Sequence, residues 1–429
     1  MSTARLPVRN VVAAVTGNAL EFYDFITYAF FAVQIGHVFF PTRNGYESLM
    51  LSLGIFAAGF VMRPVGGIVI GWYADHVGRR PAMVFSLVLM GAAIFALSIT
   101  PSYASIGLAA PVLVVLARMA QGFALGGQVG PATAFLMEAA PAGERGFYAA
   151  LQGASQYISS LAGGLVGVLL SAVLTASQLE AYGWRIAFLL GALALPIGVH
   201  LLRDLPETLY IADATAQVAK RPSSWELWLM HWRVIVLGLV ALASATIFTY
   251  VTTYMTTYAE TVLHTSSAVA FGATLVVGVG GILGTLMGGW LSDRIGRWPT
   301  LVWPRVVYLL LVLPLYYWMV GERSAVALLF TAGILVLLGT MSFGAFYAAL
   351  TESLPRNIRG RTFGTIYAVS IATFGGSAQL IVTWLIRETQ SPLAPAWYLI
   401  ASGLCGLFAV ALMPETAPVR SGLVVAPAE

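Results

Sequence analysis

The sequence predicts an all-α membrane protein with twelve transmembrane helices, arranged as two similar six-helix halves with both termini in the cytoplasm. The first observation is composition: 59% of the 429 residues are hydrophobic and only 9% are charged, whereas soluble domains carry about 25% charged residues. The second is a series of twelve apolar stretches, each near the length of about 20 residues that a spanning helix needs. The third is an internal repeat.

The apolar stretches follow one another with short polar connections. In lipid each must be a helix, because its backbone groups need partners within the segment. Most Lys and Arg residues between the stretches lie on the side of the N-terminus, and this excess predicts that both termini are cytoplasmic. The twelve stretches lie near residues 10–35, 48–73, 82–100, 111–137, 146–174, 185–203, 232–256, 268–291, 300–320, 325–350, 361–386 and 396–413.

A repeated loop divides the chain into its two halves. The segment Gly71–Pro81 recurs in similar form at Gly289–Pro299. Doubled membrane proteins of this kind place their ligand site between the halves, near the bilayer midplane. The predicted organisation is an N-terminal half at 1–205, a cytoplasmic linker at 206–231, a C-terminal half at 232–416 and a disordered tail at 417–429. Matched pairs in the two halves include Asp75 and Asp293, Arg79 and Arg297, and Glu138 and Glu352.

Composition also excludes several classes of protein. Cys405 is the single cysteine, so disulfides and cysteine-based metal sites are excluded. No His pair has the spacing of metal ligands, and we expect neither a metal nor a cofactor. The small basic excess does not indicate nucleic acid binding. No nucleophile–base pair or phosphate loop is evident, so we do not expect an enzyme.

Four charged residues fall inside predicted spans of the first half: Glu21, Asp24, Arg63 and Arg118. Charges inside lipid are costly and usually functional. Arginine suits a carboxylate because its planar fork contacts both oxygens, and a carboxylate removed from water exchanges protons more readily. The sequence therefore predicts substrate binding by the arginines and proton coupling by the acids. The alternative is a buried ion pair that only positions helices.

Neutral polar residues complete the predicted substrate site. Asn18 shares a face of the first helix with both acids, and hydroxyl groups of the second half can donate to carboxylate oxygens without adding charge. The same residue types also mediate ordinary helix packing. Arg305, by contrast, is expected to extend towards the membrane surface. The further candidate substrate-binding residues are Gln128, Gln156, Tyr254, Tyr347 and Tyr367.

The repeated loop predicts two latches that hold the cytoplasmic side of the helix bundle shut and release it in each cycle. An Asp near a helix N-terminus is stabilised by the helix dipole and by free N–H groups. The first latch would join Asp75 to the eleventh helix, with Arg79 and Glu138 nearby. The second would mirror it against the fifth helix. The alternative is a charged turn that only enforces topology. The gating residues of the second latch are Asp293, Arg297 and Glu352.

At this point the motifs resemble those of a known family. The repeated Gly71–Arg80 pattern is similar to the signature loop of the major facilitator superfamily. Asn18–Phe25, Met62–Gly66 and Arg118–Phe123 resemble its metabolite:proton symporter branch, and Gly59–Gly66 looks most like the citrate and tricarballylate carriers. The resemblance implies the major facilitator fold and proton-driven uptake of citrate or a related carboxylate across a bacterial inner membrane. We expect a monomer in the lipid bilayer that binds a small organic anion and protons.

Two positions depart from that branch. Gln128 stands where an acid is common, which shifts proton coupling towards Asp24 and Glu21. Glu260 stands where citrate-type members carry a basic residue, which indicates a different or less anionic substrate. Two alternatives therefore stay open. One is a transporter of another metabolite, such as a proline- or betaine-type osmolyte, shikimate or another aromatic acid, or an effluxed drug. The other is a membrane sensor that does not transport.

Overall fold

The computed structural model describes residues 8–42, 44–126, 136, 140, 141, 143–203, 230–354 and 359–421. Throughout these ranges the regular secondary structure is helical. The twelve long helices are α1 (Val8–Phe30), α2 (Gly45–Val77), α3 (Arg79–Ile99), α4 (Ala109–Gly126), α5 (Arg145–Val173), α6 (Trp184–Arg203), α7 (Trp232–Thr253), α8 (Ser267–Ile295), α9 (Arg297–Glu322), α10 (Ala325–Glu352), α11 (Arg359–Ser370, a π turn Ile371–Gly375, and Gly376–Thr389) and α12 (Ala394–Ala411).

The predicted membrane-spanning helices are confirmed as long apolar helices. Among the described residues, ten helices are long and apolar enough to cross a bilayer. The remaining two long helices are α1 and α6, and α1 carries Glu21 and Asp24 in its second half. In lipid such helices satisfy their own backbone groups, which is why the apolar stretches of the sequence fold this way.

Glycines allow the two halves to pack closely along α5 and α8. A Cβ atom added at Gly278 would lie 2.6 Å from the Leu161 backbone, and one added at Gly289 would lie 2.6 Å from the Gly146 carbonyl oxygen. Without such side chains the helix backbones approach directly, as small residues permit in membranes. The pairing of α2 with α11 is the matching contact on the other side of the bundle.

Inside the first half, α2 and α4 cross at backbone contact. A Cβ atom at Gly122 would lie 1.7 Å from the Gly59 carbonyl oxygen, and one at Gly126 would lie 2.0 Å from the Arg63 carbonyl oxygen. This crossing can form only because the residues are glycine. It sets Arg63 on α2 and Arg118 on α4 against the same side of α1.

Short helices extend α1 and α7 at one end of the bundle. Ala32–Phe39 follows α1, and Met255–Thr261 follows α7. The sequence predicts disorder for residues 417–429, whereas the structure has a short helix at Pro418–Ser421 within that segment. Residues 422–429 lie outside the described residues. Most of the predicted linker, residues 206–229, also lies outside them. The remaining domain boundaries and the cytoplasmic position of the termini stay predictions.

Arg305 corrects one expectation from the sequence. Its side chain does not extend to the surface of the bundle: it is only 6% exposed, and its Nη2 lies 3.3 Å from the Ser342 hydroxyl. The lipid-facing side of α9 is occupied instead by apolar residues such as Trp303 and Leu310. The position of Arg305 near a helix end therefore misled the interpretation, because the residue faces α10 rather than lipid.

Candidate functional site

Arg118 lies within a cluster of buried aromatic rings and charged groups of the first half. Its side chain has no exposed surface. The guanidinium carbon is 4.6 Å from the ring centre of Phe25 and 4.4 Å from that of Tyr28. Its Nη1 donates a 2.6 Å hydrogen bond to the side-chain oxygen of Gln121, whereas Nε and Nη2 have no partner. Much of the donor capacity of this buried cation is therefore unused.

Arg63 approaches the same cluster from α2. Its guanidinium carbon is 4.3 Å from the ring centres of both Phe25 and Phe60, so the Phe25 ring contacts both arginines. Its Nε and Nη2 atoms also lack partners. Cation–π contacts contribute about 0.5–2 kcal/mol each. They hold the guanidinium groups in position without neutralising their charge.

Glu21 and Asp24 supply the opposite charge from α1. Both side chains are fully buried, and none of their four carboxyl oxygens has a hydrogen-bond partner. The basic group that acts most strongly on Glu21 is Arg63, and for Asp24 it is Arg118. Two acids and two arginines thus lie in one cluster, with the charges balanced in number.

The four charged groups are close without forming ion pairs. These side chains are all described, and no nitrogen–oxygen distance between an acid and an arginine of the cluster falls within 4.0 Å. A structural ion pair would join them directly, since unpaired buried charges are costly. The arrangement therefore differs from the closed pair that the sequence left as an alternative. Its open donors and acceptors suit a ligand and protons instead.

A cavity lined by both polar and apolar side chains lies between the halves beside this cluster. About 30 Å³ of this cavity is wide enough to hold water. A bound ligand the size of citrate therefore requires the surrounding helices to move apart. The lining residues are Gly153, Gln156 and Tyr157 on α5, Leu242, Ala245, Thr246, Thr249 and Tyr250 on α7, Phe343 and Tyr347 on α10, and Tyr367 and Ile371 on α11.

Three predicted substrate residues, Gln156, Tyr347 and Tyr367, line this cavity. The Tyr367 hydroxyl has no partner. A π turn in α11 begins at Ile371, which itself lines the cavity, and such turns frequently occur at functional sites. The extra residue in the turn changes the direction in which the following part of α11 presents its side chains.

Tyr250 is a cavity residue that the sequence analysis did not select. Its ring lies 5.2 Å from that of Phe60 and 6.1 Å from that of Phe56, so it joins α7 to the aromatic cluster. Arg63 acts electrostatically on both Tyr250 and Tyr367. Arg118 also acts on Tyr250, so both arginines of the cluster influence the cavity wall. The run of Tyr and Thr on α7 was the available signal, but it did not distinguish Tyr250 from Tyr254.

Other predicted site residues lie elsewhere. Asn18 donates a 2.5 Å hydrogen bond from Nδ2 to the Ser155 hydroxyl and so joins α1 to α5. The Tyr254 hydroxyl accepts a 2.9 Å bond from Thr383 and does not contribute to the cavity wall. Arg63 and Arg118 both pack against aromatic rings and are likewise absent from that wall. Gln128 lies outside the described residues. Direct substrate contact by these residues stays a prediction.

The second predicted latch is a connected polar network. Asp293 on α8 accepts 2.9 Å hydrogen bonds from the backbone N–H groups of Gly146 and Phe147, which begin α5 of the other half. Arg297 contacts Asp293 at 2.7 Å and Glu352 at 3.1 Å. The carboxylate of Asp293 thereby accepts hydrogen bonds from the free N–H groups at the start of α5, and the positive end of the helix dipole stabilises its negative charge.

The second latch continues into the segment after α12. Glu415 accepts hydrogen bonds of 2.9 and 3.0 Å from the backbone N–H groups of Arg297 and Trp298, which begin α9. The Thr416 hydroxyl donates a 2.8 Å bond to Glu352. For the first latch, Asp75 falls within α2 and Arg79 begins α3, but their side chains and Glu138 lie outside the described part of the chain.

The halves also touch at the opposite end of the bundle. The Gln34 amide lies 3.4 Å from the Glu260 carboxylate, and the rings of Phe31 and Phe271 lie 4.9 Å apart. Burial raises the pKa of Glu260, and hydrogen bonds from Ser267 and Gln34 oppose that shift. The cavity is therefore flanked at both ends by contacts between the halves.

These features define a class of protein. In the described part of the chain, two groups of six long helices surround a central cavity, beside a cluster of buried charges. This is the arrangement of a multi-pass membrane transporter rather than of an enzyme. The chain belongs to the Major Facilitator Superfamily, whose family model matches residues 20–378.

Known proteins resemble this chain over nearly its whole length. A citrate-proton symporter of Salmonella typhi is 36% identical, with 96% of this chain and 95% of the relative covered. A proline/betaine transporter of Salmonella typhimurium is 30% identical, covering 95% and 83%. The xylose transporter XylE from E. coli, in a partially occluded inward open conformation, has a TM-score of 0.78 at 18% identity, covering 95% and 98%. The last similarity supports the fold alone.

Proposed function

We propose that the protein is a proton-coupled symporter that imports citrate or a related di- or tricarboxylate across a bacterial inner membrane. The observation that carries the proposal is the pair of buried arginines, Arg63 and Arg118, each with two nitrogens that lack a partner. A planar guanidinium group binds carboxylates well. The similarity to a citrate-proton symporter supports the same substrate class.

Charge balance supports coupling to protons. With all four groups ionised, the two guanidinium charges of the cluster cancel the two carboxylate charges. A bound dianion would add two negative charges in a medium where uncompensated charge is costly. Protonation of Glu21 and Asp24 would restore neutrality. A dicarboxylate, or a tricarboxylate that keeps one of its own protons, would therefore enter with about two protons.

The substrate would bridge the two halves of the cavity. We propose that Arg63 binds one carboxylate, and that the hydroxyls of Tyr250, Tyr347 and Tyr367 donate to the other end. Arg118 would act through its electrostatic pairing with Asp24. Protonation of Asp24 then frees Arg118 to attract the anion. Because the two access states bind protons unequally, a proton gradient shifts the equilibrium between them.

The substrate class is tested by counterflow in proteoliposomes. Vesicles that contain the purified protein are loaded with unlabelled citrate and diluted into labelled citrate, with competing compounds outside. We expect citrate, tricarballylate and dicarboxylates to compete, and shikimate, proline and glycine betaine to leave exchange unchanged. Exchange of betaine without exchange of citrate would contradict the proposal.

A zwitterionic osmolyte is the second candidate function. Its cationic group would contact the open carboxylates of Glu21 and Asp24 while its carboxylate contacts Arg63. The 30% identity to a proline/betaine transporter supports this candidate. The same counterflow panel separates the two functions, because an osmolyte carrier would be inhibited by proline and glycine betaine and not by dicarboxylates. A sensor would instead be stabilised by a ligand while exchanging none.

We propose that the Asp293–Arg297–Glu352 network is a cytoplasmic latch that opens in each transport cycle. Asp293→Asn removes the charge at the α5 N-terminus and weakens a helix cap worth about 1–2 kcal/mol. The population of the conformation closed on the cytoplasmic side should fall about tenfold relative to the conformation that is open there. Turnover in counterflow should therefore fall, while equilibrium binding of citrate changes less than threefold.

The exposed residue Glu47 offers a matched control for that experiment. Glu47→Gln removes one negative charge at a distance from the latch, and we expect turnover and binding like those of the wild type. A large loss of citrate affinity in Asp293→Asn, accompanied by normal turnover, would contradict a latch.

A further inference from the structure

A second buried arginine site lies inside the C-terminal half, separate from the charge cluster of the first half. Arg305 on α9 is 94% removed from solvent, since only 6% of its surface is exposed. Its Nη2 lies 3.3 Å from the Ser342 hydroxyl on α10, and its Nη1 has no partner. One hydroxyl contact does not neutralise a guanidinium, which keeps its proton in proteins.

Arg305 has no acidic partner among the described residues. Arg305 is in the described part of the chain, and no carboxylate there lies within 4.0 Å of it. The single side chain with a resolved electrostatic effect on it is Tyr308. The nearest acid on its own helix in the sequence, Glu322, lies seventeen positions further along α9, roughly 25 Å away. Burial of an unpaired charge is costly, so a counter-charge is expected.

A small cavity adjoins the side chain of Arg305. About 20 Å³ of it is wide enough to hold water, which corresponds to roughly one or two water-sized molecules. Citrate is too large for this space. The cavity lies between four helices of the C-terminal half. Its lining residues are Ser244, Ala245, Phe248, Arg305, Tyr308, Gly339, Phe343, Leu399, Ser402 and Gly403.

The polar groups around the cavity are suited to donating hydrogen bonds. The Tyr308 hydroxyl is buried and has no partner. Gly406 leaves room for the guanidinium: a Cβ atom there would lie 2.8 Å from Nη1 of Arg305 and 2.4 Å from the Ser244 hydroxyl. The guanidinium group with an unpartnered N–H, the phenol and the serine hydroxyl are all hydrogen-bond donors. Together they are suited to binding an anion.

We propose that this cavity binds one small monovalent anion, of the size of chloride, between Arg305 and Tyr308. The anion accepts hydrogen bonds from Nη1 and from the tyrosine hydroxyl, and it supplies the counter-charge that the protein lacks there. Ala245 and Phe343 line both this cavity and the central one. The ion therefore stabilises the wall that α7 and α10 present to the substrate cavity.

The test is the thermal stability of the full-length protein in detergent, measured without substrate. Sodium chloride or bromide is compared with sodium gluconate at equal ionic strength, because gluconate is too large for the cavity. We expect chloride and bromide to raise Tm by about 3 °C or more at saturation. Arg305→Gln should abolish this chloride-dependent rise, whatever its absolute Tm, and Arg305→Lys should retain part of it.

Arg323→Gln is the matched control, since Arg323 is exposed at the other end of α9 and its loss should leave the chloride response unchanged. Equal Tm values of the wild type in chloride and gluconate would overturn the proposal and indicate water in the cavity. A full chloride response in Arg305→Gln would also overturn it. If Arg305→Gln does not fold, a bromide anomalous peak beside Arg305 in crystals decides, and its absence refutes the site. This test uses no transport measurement, so its outcome is independent of the substrate class.

Discussion

Arg63→Gln is expected to lower citrate affinity by about 100-fold or more and to abolish measurable uptake. In our account Arg63 binds a substrate carboxylate in a desolvated site, where removing one partner of a charge pair costs about 3–5 kcal/mol. A loss of 2.8 kcal/mol already corresponds to about 100-fold. Equilibrium citrate binding by the purified protein measures the effect directly.

Two further variants distinguish the loss of the Arg63 guanidinium group from a nonspecific effect of removing an arginine. Arg63→Lys keeps the positive charge but loses the planar fork, so we expect an intermediate affinity. Arg323→Gln removes an exposed arginine and should bind citrate like the wild type. Citrate affinity of Arg63→Gln within threefold of the wild type would remove Arg63 from the substrate site.

Asp24→Asn is expected to separate substrate exchange from proton-driven accumulation. The amide cannot carry a proton between the two sides, so one coupled proton is lost. At a pH difference of one unit, each coupled proton contributes about 1.4 kcal/mol, or tenfold in accumulation. Labelled citrate uptake driven by an imposed pH gradient should therefore fall about tenfold at steady state. Counterflow, which needs no net proton movement, should continue.

The exposed acid Glu47 again provides the control, since Glu47→Gln should accumulate citrate normally. Asp24→Asn/Arg118→Gln is informative as well. Asp24 and Arg118 act mainly on each other, so the double variant retains charge balance and should fold as well as the single variant. Unchanged accumulation in Asp24→Asn would assign proton coupling to another group.

The architecture was predictable because its causes are local in the sequence. Apolar stretches of spanning length become helices in lipid, and the repeat exposes the doubling. The repeat also predicted the geometry of the second latch, since Asp293 does meet the first residues of α5 and Arg297 does meet Glu352. Glu415 was missed because its partners, the first N–H groups of α9, are distant in the sequence.

Which side chains face the cavity was less predictable from the sequence. Periodicity placed Tyr250 and Tyr254 on one helix, but it did not reveal that α7 ends between them and that Tyr254 bonds to Thr383. Similarly, the positions of Arg63 and Arg118 in the sequence gave no sign that both pack against aromatic rings and do not line the cavity. Arg305 was expected at the membrane surface because only its distance from the helix end was visible. Rotation of each helix about its axis is set by tertiary packing.

The central claim is that the unpaired buried charges take up protons when they bind the anion. The most direct measurement is the number of protons bound with citrate, obtained from binding enthalpies in buffers of different ionisation enthalpy. Our account predicts net proton uptake by the wild-type protein, and about one proton fewer for Asp24→Asn, a difference in which protonation of citrate itself cancels. Equal proton numbers for the wild type and Asp24→Asn would contradict it.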